Sequence, residues 1–378
     1  STNQSETSTD QSPESNKSSA VFYKVDVVVI GAGQAGLSAA FYLKREGLEP
    51  GKGFVVLDDE ISAGGAWQHR WDSLTLDNVN GINDLPGMSF LEAMHENPEV
   101  IRANEAVPLY YEKYEKANEL PIIRPIKVLE VEEHRNRFLV KTNGVQFSAK
   151  GIVNATGTWK TPHIPVIKGA EKFKGVMLHT NSYSRSVDFV GKHVLLIGAG
   201  ISAVQLLDEL SLVTKTTWVT RRPPDFRAYS FNPELGREAV AMVEDRVRQG
   251  LPPKSVVSVT GLPITPAIEG MMNRGVMDRL PMFDEITESG VKWSDGTELA
   301  VDVIFWNTGF RHSIDHLKKL DLQSENGGVI MSGRLATQVE KDHRIHLTGY
   351  GPSASTIGAN RAGRAVAREI IETLKLKK

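Results

Sequence analysis

Twice along the chain a short apolar run stops abruptly at a glycine-rich turn and gives way to a stretch of helical period. Val25–Ile30, V-D-V-V-V-I, carries no charge after Asp26 and reads as a strand buried on both faces. It runs into Gly31, Gly33 and Gly36, and the following Leu37–Arg45 is apolar on one side and ends at Gly47. Phe54–Leu57 is a second apolar strand that closes in Asp58. The pattern returns at His193–Ala203, H-V-L-L-I-G-A-G-I-S-A, with Gly198, Gly200 and Ala203 in the places of the three glycines; Thr217–Thr220 is its second strand.

The spacing of the glycines carries the chemistry. The first permits a tight turn, the second lets the backbone approach a pyrophosphate, and the third, or an alanine there, lets the helix pack close to its strand. Gln34 and Ala35 belong to the first turn and Ser202 to the second. Asp58 stands where a ribose 2′-hydroxyl needs an acceptor, whereas Thr217–Thr220 is followed by Arg221 and Arg222, which favour a 2′-phosphate and hence NADPH. Two solvated surface arginines are the plain alternative. Two such units in one chain imply two dinucleotides and electron transfer between them.

The intervening pattern is more local. Ile61–Trp71 holds Gly64, Gly65, Trp67 and Trp71, either a backbone pass against a flat ligand with indoles over it, or a turn with two packed indoles. Ser73–Phe90 is polar and turn-rich, and Glu105–Asn118 reads as a helix whose Tyr110, Tyr111 and Tyr114 are packing residues. Val128–Glu132, Arg137–Thr142 and Val145–Ser148 read as a meander, before a short strand that ends in Ala155, Thr156 and Gly157. A similar small-residue end closes Val301–Phe310 at Asn307, Thr308 and Gly309, and Pro162 and Pro165 mark a crossover. A helix over Glu234–Arg248 has a charged face, and Met271, Met272 and Met277 read as core or hinge packing. Ile345–Leu347 leads through Gly349 into a helix from Ile357 to Leu374, whose N-terminus would face a flavin ring.

Composition narrows the class. The 378 residues suffice for two domains, and the net charge of −2 makes nucleic acid a poor partner. There is no cysteine, so disulfide, thiolate and Fe–S chemistry are excluded, together with any dithiol redox pair. The ten histidines show no metal spacing, no apolar run approaches a membrane span and no signal peptide is visible, which makes the cytoplasm the expected compartment. Residues 1–20 are polar and are expected to form a disordered tail. The expected fold is α/β, two Rossmann-like dinucleotide-binding domains with the second inserted in the first: one over 21–165 and 300–378, and an NADPH domain over 166–299.

Phe173, Gly175, His179 and Tyr183 in F-K-G-V-M-L-H-T-N-S-Y stand just before the second glycine turn. That segment resembles the FxGxxxHxxx(F/Y) signature of the flavin-containing monooxygenases, single-component class B-like enzymes of the FAD/NAD(P)-binding disulfide-reductase-like superfamily. Tyr183 stands where Baeyer–Villiger relatives usually carry Trp. The resemblance makes the unit over 21–165 and 300–378 the FAD domain. It implies that Gly31, Gly33, Gly36 and Asp58 bind the ADP half of FAD, that Gly64, Gly65 and Trp67 lie near the flavin, and that Gly198, Gly200 and Ala203 bind NADPH. Gln34, Ala35, Gly157, Ser202, Arg221, Arg222, Gly309, Gly349 and Ile357 complete the expected cofactor contacts. It further implies a polar residue near flavin C4a; Asp77 and Asn78 both qualify, and Asn78 is chosen because a neutral amide can donate to an oxygen atom. His179 and Tyr183 either join proton transfer or brace the domain junction. The implied reaction is NADPH-dependent oxygenation of a sulfur or nitrogen of a small molecule by O2 through a flavin C4a-hydroperoxide. An NAD(P)H oxidase or reductase, a Baeyer–Villiger enzyme and a protein that uses FAD structurally are the alternatives, and a homodimer is left open.

Overall fold

The computed structural model describes residues 21–77, 84–227, 233–254, 261–354 and 356–376. The tail expected over 1–20 and the candidate Asn78 lie outside the described residues. The first sheet is built around β1 (Phe22–Ile30), with β2 (Phe54–Leu57) parallel on one side and β6 (Gln146–Asn154) parallel on the other. β3 (Ile122–Ile123) extends it beyond β2, and β12 (Ile345–Leu347) pairs parallel with β6. The hairpin β4 (Val128–His134) and β5 (Arg137–Thr142) joins through the outer half of β6. The meander strand and the short strand expected before Gly157 are therefore one strand.

β1 is buried on both faces because each face has its own core. Val27 and Val29 pack with α1 (Gln34–Arg45), α2 (Ala103–Ala117) and the C-terminal α4 (Thr356–Leu374), while Val28 and Ile30 pack with the hairpin and the 317–350 segment. Tyr110, Tyr111 and Tyr114 are buried in the first of these cores. Each valine fully withdrawn from water contributes about 1.5–3 kcal/mol, so an unbroken β-branched run suits this position.

The second sheet repeats the plan. β8 (His193–Ile197) lies between β9 (Lys215–Thr220) and β11 (Val303–Trp306), all parallel, with β7 (Val176–His179) beyond β11 and β10 (Leu280–Pro281) beyond β9. β8 leads into α3 (Ile201–Ser211). Because β11 pairs on both sides within this sheet, the expected boundary at 299/300 is corrected: the second unit continues through Trp306. Only then does the chain cross back, held alongside the outgoing crossover by an antiparallel bridge of Pro162 with Phe310 and three backbone hydrogen bonds. Ser313 N donates to Gly157 O at 2.9 Å, Arg311 N to Thr161 O at 2.8 Å and His163 N to Gly309 O at 2.9 Å. Met271 is fully buried in the core of the second unit, as a packing residue. Among the described residues no helix is long and apolar enough to cross a membrane.

Candidate functional site: two glycine cradles and a cavity

At the end of β1 the backbone of Gly31 takes φ +107°, and a Cβ there would lie 2.3 Å from Ala155 O at the end of β6. A Cβ on Gly36 would lie 1.8 Å from Gly31 O, so the helix seats directly on the turn. Gly33 differs: nothing lies within 4 Å of its Cβ position, which opens into a cavity of about 510 Å³. Gly33 is also the N-cap of α1, with no side-chain cap and no acid in the first turn, so free N–H groups and the positive helix end face this space.

The second turn has the same construction. Gly198 takes φ +135° with its Cβ position 2.0 Å from Asn307 O, and Gly200, the uncapped N-cap of α3, again faces open space. Ala203 is buried against the strands and Ser202 is partly exposed in the first turn of α3. Arg221 and Arg222 are exposed at the end of β9. Both cradles fit a dinucleotide pyrophosphate: each offers uncapped amides, no competing acid and room where a side chain would stand.

The cavity of the first cradle is lined by Gly31, Gly33, Gln34 and Ala35, by Asp58–Glu60, by Gly64–Trp67 and Arg70, by Ala155–Thr161, and by Ser313, His316, Gly349 and Ser353. Gln34 is fixed between helices: its Nε2 donates to Asn360 Oδ1 at 2.7 Å and its Oε1 accepts from Tyr111 Oη at 2.6 Å. Gly65 passes close to the turn, its Cβ position 3.1 Å from Gly33 Cα. Trp67 lines the cavity, but Trp71 is buried in the core of the second unit instead. Gly157 lines the cavity, Gly309 stands at the base of the returning crossover, and Ile357 lies in the first turn of α4.

Asp58 does line the cavity, with a partner that sequence reasoning missed. Its Oδ2 accepts from Arg124 Nε at 2.7 Å and its Oδ1 from Glu60 N at 3.2 Å. The Nη atoms of Arg124 form a fork onto Glu115 at 2.7 and 2.6 Å. Burial raises the carboxyls of Asp58 and Glu115, and Arg124 pulls both back. His316 was also missed. Asn154 Nδ2 donates to Thr156 Oγ1 and Thr156 donates to Ser313 O, so Asn154 Oδ1 must accept from His316 Nε2, at 2.6 Å. Burial lowers this imidazole to about 4, leaving it neutral with Nδ1 an acceptor. No local spacing in the sequence marks either contact.

His179 and Tyr183 do not line this cavity, and their contacts are those of the bracing alternative. His179 Nε2 donates to Gly309 O at 3.0 Å, and burial lowers its pKa, so it braces the crossover as a neutral ring. Tyr183 is buried between Phe189 and Phe305 and donates to Glu209 Oε1 at 2.9 Å. Glu209 Oε2 in turn accepts from Ser73 Oγ at 2.7 Å. The signature tyrosine thus reaches, through α3, the segment that leads to Asp77 and Asn78.

The two cradles, one on each sheet, suit two dinucleotides, and the chain is a FAD- and NADPH-dependent oxidoreductase. It belongs to the pyridine nucleotide-disulphide oxidoreductase family, whose profile matches residues 28–249, and within that superfamily to the flavin-dependent, class B type of monooxygenase, with FAD and NADPH as cofactors. A flavin-containing monooxygenase from Stenotrophomonas maltophilia is 34% identical, with a TM-score of 0.75 over 93% of this chain and 99% of that one. The uncharacterized oxidoreductase CzcO of Bacillus subtilis (strain 168) is 29% identical over 313 residues, 81% of this chain and 87% of that protein. The bacillithiol disulfide reductase of Staphylococcus aureus, 19% identical with a TM-score of 0.66 over 93% of this chain and 99% of that one, shares the fold.

Proposed function

We propose that the chain oxidises NADPH and places one atom of O2 on a soft nucleophile, a sulfur or an amine nitrogen, of a small molecule. Bound FAD supplies the hydride acceptor and the centre that activates O2. Gly31, Gly33 and the start of α1 hold its pyrophosphate, and Asp58, oriented by Arg124, accepts from its ribose. Gly198, Gly200 and the start of α3 hold the pyrophosphate of NADPH, and Arg221 and Arg222 meet its 2′-phosphate. Trp67 and Trp159 wall the cavity against water. Asn78 donates toward the reacting oxygen, and His179 and Tyr183 act as positioning residues. In this reading the FAD unit comprises 21–165 and the chain after the returning crossover, the NADPH unit 166–306, and the enzyme works in the cytoplasm.

The observation that carries this reading is the pair of like-built cradles in a chain that has no dithiol to pass electrons to. The test is electron accounting with NADPH, 18O2 and a panel of thioethers, tertiary amines and ketones. One labelled oxygen in a sulfoxide or N-oxide per NADPH is the expected outcome. Stoichiometric peroxide with no oxygenated product would make the protein an oxidase, and esters from ketones would place it with Baeyer–Villiger enzymes.

A further inference from the structure

Arg70 is the unusual group in the cavity wall. Its guanidinium carbon lies 4.7 Å from the ring centroid of Trp159, 5.5 Å from Trp67 and 5.8 Å from Trp71. Nε is buried without a hydrogen-bond partner, and no carboxylate among the described residues pairs with the group. The acids of the same wall are already engaged: Asp58 with Arg124, Asp59 and Glu60 with Lys160, and Glu60 also with His69. Burial alone lowers the pKa of Arg70, with no opposing charge. Three indoles stabilise a cation through their faces, but they give its N–H donors nothing to bond. Arg70 is only partly buried, but its Nε is withdrawn from water with no acceptor, and its planar fork matches a carboxylate edge-on.

We propose that Arg70 is the anion-recognising residue of the substrate site and that the substrate carries a carboxylate on a flat apolar body, the acid meeting the free edge of Arg70 and the body lying along Trp67 and Trp159. This deepens, and rests on, the reading of the chain as a small-molecule monooxygenase. The cofactor phosphates are the other source of an oxyanion, but each has its own cradle at the start of α1 or α3. Trp159 also stacks on Phe310 of the returning crossover, 5.2 Å between centroids, which places Arg70 at the seam between the two units.

The test is a titration of the FAD-loaded protein with phenylacetate, phenylacetamide and inorganic phosphate, read by tryptophan fluorescence and the flavin difference spectrum. Because it reads binding without turnover, it stands or falls separately from oxygen transfer. A charge-assisted fork predicts that the acid binds at least about tenfold tighter than the amide. Arg70→Gln is expected to remove that advantage, the acid losing much more affinity than the amide, while FAD content is retained. Equal affinity for acid and amide, or no binding of either, would overturn the proposal. So would loss of FAD from Arg70→Gln with phosphate competing as well as phenylacetate, which would assign Arg70 to a cofactor phosphate. If Arg70→Gln does not fold, the acid–amide comparison on the wild type decides.

Discussion

Single side chains separate the glycines that build the cradles from those that leave room in them. Gly36→Ala places a methyl 1.8 Å from a carbonyl oxygen, and a loss of about 3 kcal/mol is expected in denaturant unfolding. Gly200 has φ −80° and ψ 177°, backbone that valine adopts freely, and nothing near its Cβ position. Gly200→Val should therefore change stability by no more than about 0.5 kcal/mol. By filling the pyrophosphate space it should raise the KM for NADPH at least about tenfold with FAD content intact; an unchanged KM would remove Gly200 from the site. Imidazoles withdrawn from water set the acid limit. Desolvation lowers the partly buried His312 and His316 to about 4 and the fully buried His346 to about 3. Since each folded pKa lies below the ordinary value, the unfolded chain binds more protons between them. The stability these groups give is complete above about pH 6.5 and is lost as pH falls towards 4 for His312 and His316 and towards 3 for His346. Melting temperature should drop measurably between pH 7 and pH 5, and a flat profile would contradict this assignment.

Between elements, Arg124 ties the end of β2 to α2 through Asp58 and Glu115. Arg124→Met leaves two buried carboxylates facing each other, and a loss of about 3–5 kcal/mol is expected by thermal or urea unfolding. Arg124→Met combined with Glu115→Gln should recover part of it, because one of the two charges is then gone; equal losses in both variants would show that the pairing is not the cause. Such contacts explain what was legible in the sequence. The strands and turns of both units and the first helix are written in local apolar period and glycine spacing, which is why β1, α1, β2 and β9 were found within a few residues. Arg124 meets a carboxylate 66 positions away, and His316 meets Asn154 across 162. No local period encodes either. Arg70 lay inside a stretch already singled out for its tryptophans, and the cation set between indoles was the signal passed over. The boundary at 299/300 failed for a related reason: β11 resembles the end of β6, but which sheet receives it depends on pairing partners far away in the chain.

Across the whole molecule, Tyr183, Glu209 and Ser73 connect the signature segment to the segment that leads to Asn78, passing through α3 of the second unit. Glu209→Ala cuts both contacts without touching either cradle. The expected result is a severalfold larger share of NADPH electrons released as peroxide, with the KM for NADPH changed by less than about twofold, since a small misplacement at the reacting centre costs far more than one at a remote binding contact. Unchanged coupling would mean that the link is only a packing contact. The two crossovers are pinned side by side by the bridge of Pro162 with Phe310 and its flanking hydrogen bonds. Whatever turns the second unit against the first turns Trp159 against Phe310, so the indole wall beside Arg70 sits on the axle between the two halves of the chain.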